Sequence, residues 1–201
     1  MGLAYTSFAT KGLGGSAVVI SEQTYQLIAL EDTDRQWELH DGQLREKPQM
    51  SAEHNDMMVR LGLALGPQLD WRVYRLRINS SHVKRSERNY YIPDVCVIPA
   101  DRYREQLGRL RHLEVYDVPL PFVAEIWSPS TGDYDIDDKL PGYQARGDGV
   151  IWRFHPYERT LIAWQRQPDG TYTSEVIRGG LVRIESLPNV TIDLDMIFDF
   201  Q

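Results

Sequence analysis

Apolar residues recur at Met58, Leu61 and Leu65 within residues 52–65, a spacing of three and four that lays one stripe along a helix. Ser51 stands where a cap belongs and Gly66-Pro67 where the helix must stop. His54 lies one turn before Met58 on the same stripe, so it is expected to face the interior. A shorter helix is expected over residues 21–30, capped by Ser21, with Tyr25, Ile28 and Ala29 on one side. Between residues 37 and 45, Asp41-Gly42 supplies the turn of a hairpin that carries Glu38. Strand character follows over residues 72–78, 90–98 and 121–127, the last two separated by a polar, arginine-rich connection over 101–115. Residues 134–146 read as a helix limited or kinked by Pro141 and ended by Gly147 or Gly149. Residues 150–154, 160–166 and 172–177 alternate as strands, with Asp169-Gly170 as a hairpin turn, and segments 181–184 and 187–198 complete the chain. Residues 1–18, with Gly12, Gly14 and Gly15 in a small-residue stretch, read as a flexible leader, and these glycines lack the strand before and helix after that a phosphate cradle needs.

Composition narrows the class. With 42% hydrophobic and 25% charged residues over 201 positions, the chain can bury one sizeable core, and residues 19–201 are expected to form one domain. The lone cysteine, Cys96, cannot close an internal disulfide, so cytoplasm is the default location. No stretch approaches the roughly 18 consecutive apolar residues of a membrane span, and no signal-peptide pattern is visible. The net charge of −7 opposes broad binding to phosphate backbones. From Arg72 to Arg111, however, ten Lys/Arg stand against four Asp/Glu, a local +6 that leaves −13 elsewhere. A polyanion is thus expected on one face only, although a solvated face with scattered arginines fits the same count. No aromatic stacking platform is evident.

Two acids interrupt two apolar strands. Strand alternation puts Asp94 in a row with Ile92, Cys96 and Ile98, and puts Glu125 beside Val123 and Trp127, opposite Phe122, Ala124 and Ile126. A buried carboxylate costs several kcal/mol unless it is paired, hydrogen-bonded or bound to metal. Carboxylates with water and phosphate oxygens are what magnesium prefers, and the same set serves metal-assisted phosphodiester hydrolysis. Simpler readings compete: Asp94 as a strand-end acid, Glu125 as an arginine's partner, Lys139 as solvated or paired with Asp135. Likewise His54 fits a satisfied core histidine, Glu38 a hairpin residue, and Ser128 and Ser130 a turn, with no histidine spaced to make either serine a nucleophile.

Ile92-Pro93-Asp94 followed by a strand carrying Glu125 resembles the PD-(D/E)XK nuclease superfamily. A fuller resemblance, over roughly residues 20–198, is to the Uma-two-type restriction endonuclease family. It is carried by Trp37-Glu38-Leu39-His40-Asp41-Gly42, Ile92-Pro93-Asp94-Val95, Val123-Ala124-Glu125-Ile126-Trp127-Ser128-Pro129-Ser130-Thr131, residues 135–143 with Lys139, Gly149-Val150-Ile151-Trp152 and Leu187-Pro188-Asn189-Val190. The resemblance implies an α/β, restriction-endonuclease-like fold: a central mixed sheet flanked by helices, with added N- and C-terminal hairpin strands. It also implies Mg2+ or Mn2+ held by Asp94 and Glu125, and DNA as substrate. The superfamily's lysine, two residues after the acid, is Trp127 here, which leaves Lys139 as the candidate cation. Asp135, Lys139 and Tyr143 share one face if the helix survives Pro141. Tyr143, Glu38 and His54 are candidate supporting residues. A homodimer through the C-terminal strands and the absence of an organic cofactor complete the expectation. The competing reading is an inactive nuclease-fold module that binds nucleic acid or protein.

Overall fold

The computed structural model describes residues 18–129 and 134–200, so the leader expected over 1–18 lies almost wholly outside the described residues, as do Ser130, Thr131 and Gly132. Both predicted caps form. Ser21 accepts from the Thr24 amide at the start of α1 (Glu22–Glu31), and Ser51 from the His54 amide at the start of α2 (Ala52–Leu65). The α2 stripe buries Met57, Met58, Leu61 and Leu65.

The strands make a six-stranded and a five-stranded sheet and a two-stranded ribbon. The larger sheet runs β11-β10-β9-β8-β6-β3 and comprises β3 (Tyr74–Ile78), β6 (Val95–Pro99), β8 (Phe122–Ile126), β9 (Val150–His155), β10 (Thr160–Arg166) and β11 (Tyr172–Ile177). Only β8 and β9 pair in parallel in it, so it is mixed, and a helical crossover joins those two strands, as parallel neighbours require. The second sheet runs β2-β1-β5-β4-β7 and comprises β1 (Trp37–His40), β2 (Gln43–Glu46), β4 (His82–Ser86), β5 (Asn89–Tyr91) and β7 (Val115–Tyr116). The hairpin expected at Asp41-Gly42 is its β1–β2 edge. At the C-terminal end β12 (Leu181–Arg183) pairs with β13 (Thr191–Asp193), followed by the short α5 (Leu194–Ile197).

Alternation along the central strands packs both faces of the larger sheet. Val95, Val97, Phe122, Ala124 and Ile126 join the α2 side, whereas Cys96, Ile98, Val123 and Ile151 join Tyr91 and Tyr143 on the other. Tyr143 comes from α4 (Leu140–Arg146), which packs so closely there that a Cβ on Gly142 would sit 2.5 Å from the Tyr91 hydroxyl.

The structure corrects the sequence reading in four places. Residues 90–98 are not one strand: β5 ends at Tyr91, Ile92-Pro93-Asp94 crosses between sheets, and β6 begins at Val95. Proline has no N–H for a ladder, which is the physical reason for the break. The connection over 101–115 contains a helix, α3 (Ala100–Gln106). The helix expected over 134–146 has two parts, a π-helical turn at Asp135–Lys139 and then α4, in whose first turn Pro141 needs no N–H. It ends at Gly147 in the left-handed region, φ 82°. Finally, β4 and β7 went unforeseen.

A buried ion pair ties the two larger sheets together. The Arg146 guanidinium donates to the carbonyls of Lys84, Tyr116 and Val118 and lies 3.2 Å from Asp148, whose other oxygen accepts the Leu120 amide. Burial pushes the Asp148 carboxyl up to about 6, against the pull of Arg146 and the Leu120 amide. A carboxyl whose native value lies above its unfolded one binds its proton more tightly when folded, so its stabilising share declines as pH climbs from about 4 to about 6 and is level outside that window. Urea unfolding of wild type and Asp148→Asn across pH 4 to 7 is therefore expected to give curves that are not parallel. Wild type should lose up to roughly 3 kcal/mol relative to the variant over that rise. Parallel curves would count against an elevated Asp148.

Candidate functional site

The β6–β8 ladder pairs Val95 with Ala124 and Cys96 with Val123, so one residue beyond it Asp94 comes level with Glu125. Asp94 completes the match by accepting the Ile126 amide at 2.7 Å. The two acids predicted from sequence thus come from neighbouring strands at one end of the sheet, and both are buried.

Each acid has its own cation. Asp94 accepts from the Lys47 ammonium at 2.8 Å and lies 2.8 Å from His54 Nε2. Burial alone would raise its carboxyl, but the Lys47 charge and the His54 contact outweigh it and hold Asp94 well below the usual carboxylate range. Glu125 accepts from Tyr143 at 2.5 Å and from Lys139 at 3.2 Å. Here burial wins, helped by the charges of Asp94 and Asp135, and the Glu125 carboxyl is pushed up to about 8 despite Lys139. Lys139 also reaches Glu38 at 3.0 Å and Asp135 at 3.6 Å. Burial would lower its ammonium, but Glu125, Glu38 and Asp135 raise it well above the ordinary lysine value, so it is charged. Tyr143 is likewise held protonated by burial and by Glu125.

Lys47 is the site residue that sequence reasoning missed. It follows β2, is buried, and donates to Asn79 at 2.6 Å and to the Ile92 carbonyl at 2.8 Å as well as to Asp94. Glu38 takes the other side of the same residue, accepting the Ile92 amide at 2.7 Å. The amino-terminal hairpin therefore grips the chain where it crosses between sheets, immediately before Asp94. Every site residue foreseen from sequence (Asp94, Glu125, Lys139, Glu38, His54, Tyr143) lies in this cluster. Glu125 has Lys139 and Tyr143 as hydrogen-bond partners, and Arg153 stands level with it on β9.

A cleft of about 240 Å³ opens onto the cluster, lined by Glu38, Arg45, Glu46, Lys47, Pro48, Tyr134 and Lys139. The Arg45 guanidinium lies 3.6 Å above the Tyr134 ring at its mouth. A larger hollow of about 650 Å³, between β9–β11 and the β12–β13 ribbon, contains none of these acids or lysines. The basic stretch is partly neutralised in three dimensions: Arg72 pairs with Asp70, Arg77 with Glu114, Lys84 with Glu22 and Arg102 with Glu105. Trp127, His155 and Tyr157 come together as a ring stack beside the site, a grouping that no sequence pattern disclosed.

A mixed sheet flanked by helices, with one buried acid on a central strand, a second level with it just before the neighbouring strand, and a lysine brought in from the following helical segment, is the arrangement of a restriction-endonuclease-like protein. The model of the Uma2 family, described as "Putative restriction endonuclease", matches residues 21–196, and the chain belongs to that family. A solved structure described as "a putative nuclease belonging to DUF820" from Anabaena variabilis superposes with a TM-score of 0.71 at 16% identity, over 89% of this chain and 97% of that one. That likeness concerns the fold. A search of functionally curated proteins finds no match.

The residues fit a hard divalent ion. Among the described residues no group of three or more His, Cys, Asp or Glu side chains is placed to hold a metal ion, but magnesium is commonly held by one or two carboxylates plus water and phosphate. Four acids (Glu38, Asp94, Glu125, Asp135) face two lysines (Lys47, Lys139), which leaves an excess of negative charge. Burial first, and then the charges of Asp94 and Asp135, keep the Glu125 carboxyl elevated there. Asp94 accepts three hydrogen bonds, and a carboxylate offers about four lone-pair sites, so it keeps one for a ligand.

Proposed function

We propose that this chain is a metal-dependent endonuclease that hydrolyses phosphodiester bonds of DNA, with Asp94 and Glu125 as the ligands of Mg2+ or Mn2+. The observation that carries the reading is the meeting of these two carboxylates at one sheet end with Lys139 in contact with Glu125. A bound divalent ion supplies charge neutralisation and an acidified water. The protein's residues divide the remaining work. Lys139, charged and facing the cleft, offsets the negative charge that builds on the phosphoryl oxygens. Tyr143 fixes one oxygen of Glu125, and Lys47 with His54 fixes both oxygens of Asp94, so neither ligand swings away. Glu38 steadies Lys139 and the Ile92 amide together.

Incubation of the protein with supercoiled plasmid is expected to give nicked and linear DNA with Mg2+ or Mn2+ and none with a chelator. Calorimetric titration with Mn2+ should register binding to wild type and a loss of roughly ten-fold or more in affinity for Asp94→Asn, within the range for disturbed metal sites. If plasmid stays intact in every metal and Asp94→Asn binds Mn2+ as wild type does, the nuclease reading is wrong and the inactive module takes its place.

A further inference from the structure

The Trp127 amide donates to the Phe154 carbonyl at 2.8 Å, so β8–β9 pairing persists past Ile126 and sets Trp127 beside His155. Trp127 lies two residues beyond Glu125 on the same sheet face, roughly 7 Å along the strand. Its ring stacks on His155 with centroids 4.3 Å apart and planes 20° from parallel. Tyr157 stands edge-on to both, at 6.0 Å from Trp127 and 6.3 Å from His155. The Tyr157 hydroxyl donates to Glu53, the neighbour of His54, at 3.4 Å. The ring group thereby spans from the strand of Glu125 to the helix start that supplies His54.

None of the three rings belongs to the molecule's hydrophobic core clusters. Trp127 and His155 are partly exposed, and Tyr157 is 55% exposed. Wet aromatic surface adds little to stability, yet here it sits one strand step from Glu125. Flat rings at that distance are suited to a π-face, and bases inside a duplex already have both faces covered by their neighbours.

We infer that Trp127, His155 and Tyr157 form a stacking platform for an unpaired base next to the scissile phosphate, so that the favoured substrate is DNA that is single-stranded or locally opened. This rests on the nuclease reading above and adds the form of nucleic acid to it. Arg153 is paired across from Glu125 in the β8–β9 ladder, on the same sheet face.

The test uses Glu125→Gln as a non-cleaving background and fluorescence anisotropy in Mg2+, with a labelled oligothymidylate and a fully paired duplex of equal length as probes. The single strand is expected to bind more tightly than the duplex. Adding Trp127→Ala should weaken single-strand binding about ten-fold, in line with one lost base stack, while Trp127→Phe keeps most of it and the duplex is unaffected. The exposed Tyr157→Ala, which carries little folding risk, should give a smaller loss in the same direction. Replacing the thymidines by abasic sites one at a time should identify a position at which Trp127→Ala no longer matters. Unchanged single-strand affinity in both Trp127→Ala and Tyr157→Ala overturns the platform and leaves the nuclease reading intact; so does an equal loss on duplex. Failure of the background protein to bind either probe removes both.

Discussion

Lys47→Met is expected to destabilise the protein by about 3–5 kcal/mol, the usual cost of stripping one partner from a buried ion pair. Asp94 then stays buried with its largest charge-stabilising neighbour gone, so desolvation reasserts itself on the carboxyl. Asn79 and the Ile92 carbonyl lose a donor at the same time, and a buried acceptor without one costs a further 1–3 kcal/mol. Methionine roughly preserves the volume, which separates the charge from simple cavity formation. Urea unfolding should be compared in the single variant and in Lys47→Met with Asp94→Asn. The second substitution should restore a large part of the loss, because it neutralises the stranded acid. A single-variant loss below about 1 kcal/mol, the size of a solvent-screened surface pair, would mean that the Lys47–Asp94 contact is far weaker than its burial implies.

Glu125→Gln is expected to abolish cleavage, by at least about 10³-fold in rate, while leaving the fold as stable as wild type or more so. The side chain keeps its size and can still accept from Tyr143 and Lys139. Lys139 retains Glu38 and Asp135 as partners, so its charge is not stranded. What disappears is an acid whose ionised form the surroundings resist, since burial and neighbouring acids push it up to about 8. Plasmid cleavage and thermal unfolding on one preparation check both halves. Retention of wild-type cleavage would remove Glu125 from the reaction, and a fall in stability of more than about 2 kcal/mol, well beyond one hydrogen bond's usual net worth, would recast it as a structural residue.

How far the sequence disclosed all this depends on whether each signal was local. The α2 stripe and its Ser51 cap are written within a few turns and formed as read. Asp94 and Glu125 stood out because an acid in an apolar strand is expensive, whatever surrounds it. Lys139, four residues from Asp135 and Tyr143, gathered its partners although a π-helical turn replaced the first part of the expected helix. Lys47 left no such trace. It sits in a polar stretch between Glu46 and Pro48, and its partner lies 47 residues further on, across a sheet boundary that no periodicity records. His82-Val83-Lys84-Arg85-Ser86 hid β4 in the same way, because its polar residues gain strand partners and cover only from the long-range pairing with β5 and β7. Trp127 was noticed for the lysine it replaces; the rings it meets come from the next strand over and its following turn.

The grip of Glu38 and Lys47 on Ile92 also governs when the centre can exist. Its charges come from residues 38, 47, 94, 125, 135 and 139, and from both large sheets. A nascent polypeptide halted before residue 139 carries Glu125 without the Lys139 ammonium and the Tyr143 hydroxyl that meet it in the folded chain. These six charges therefore meet only after residue 139 has been made and both large sheets have closed on Ile92.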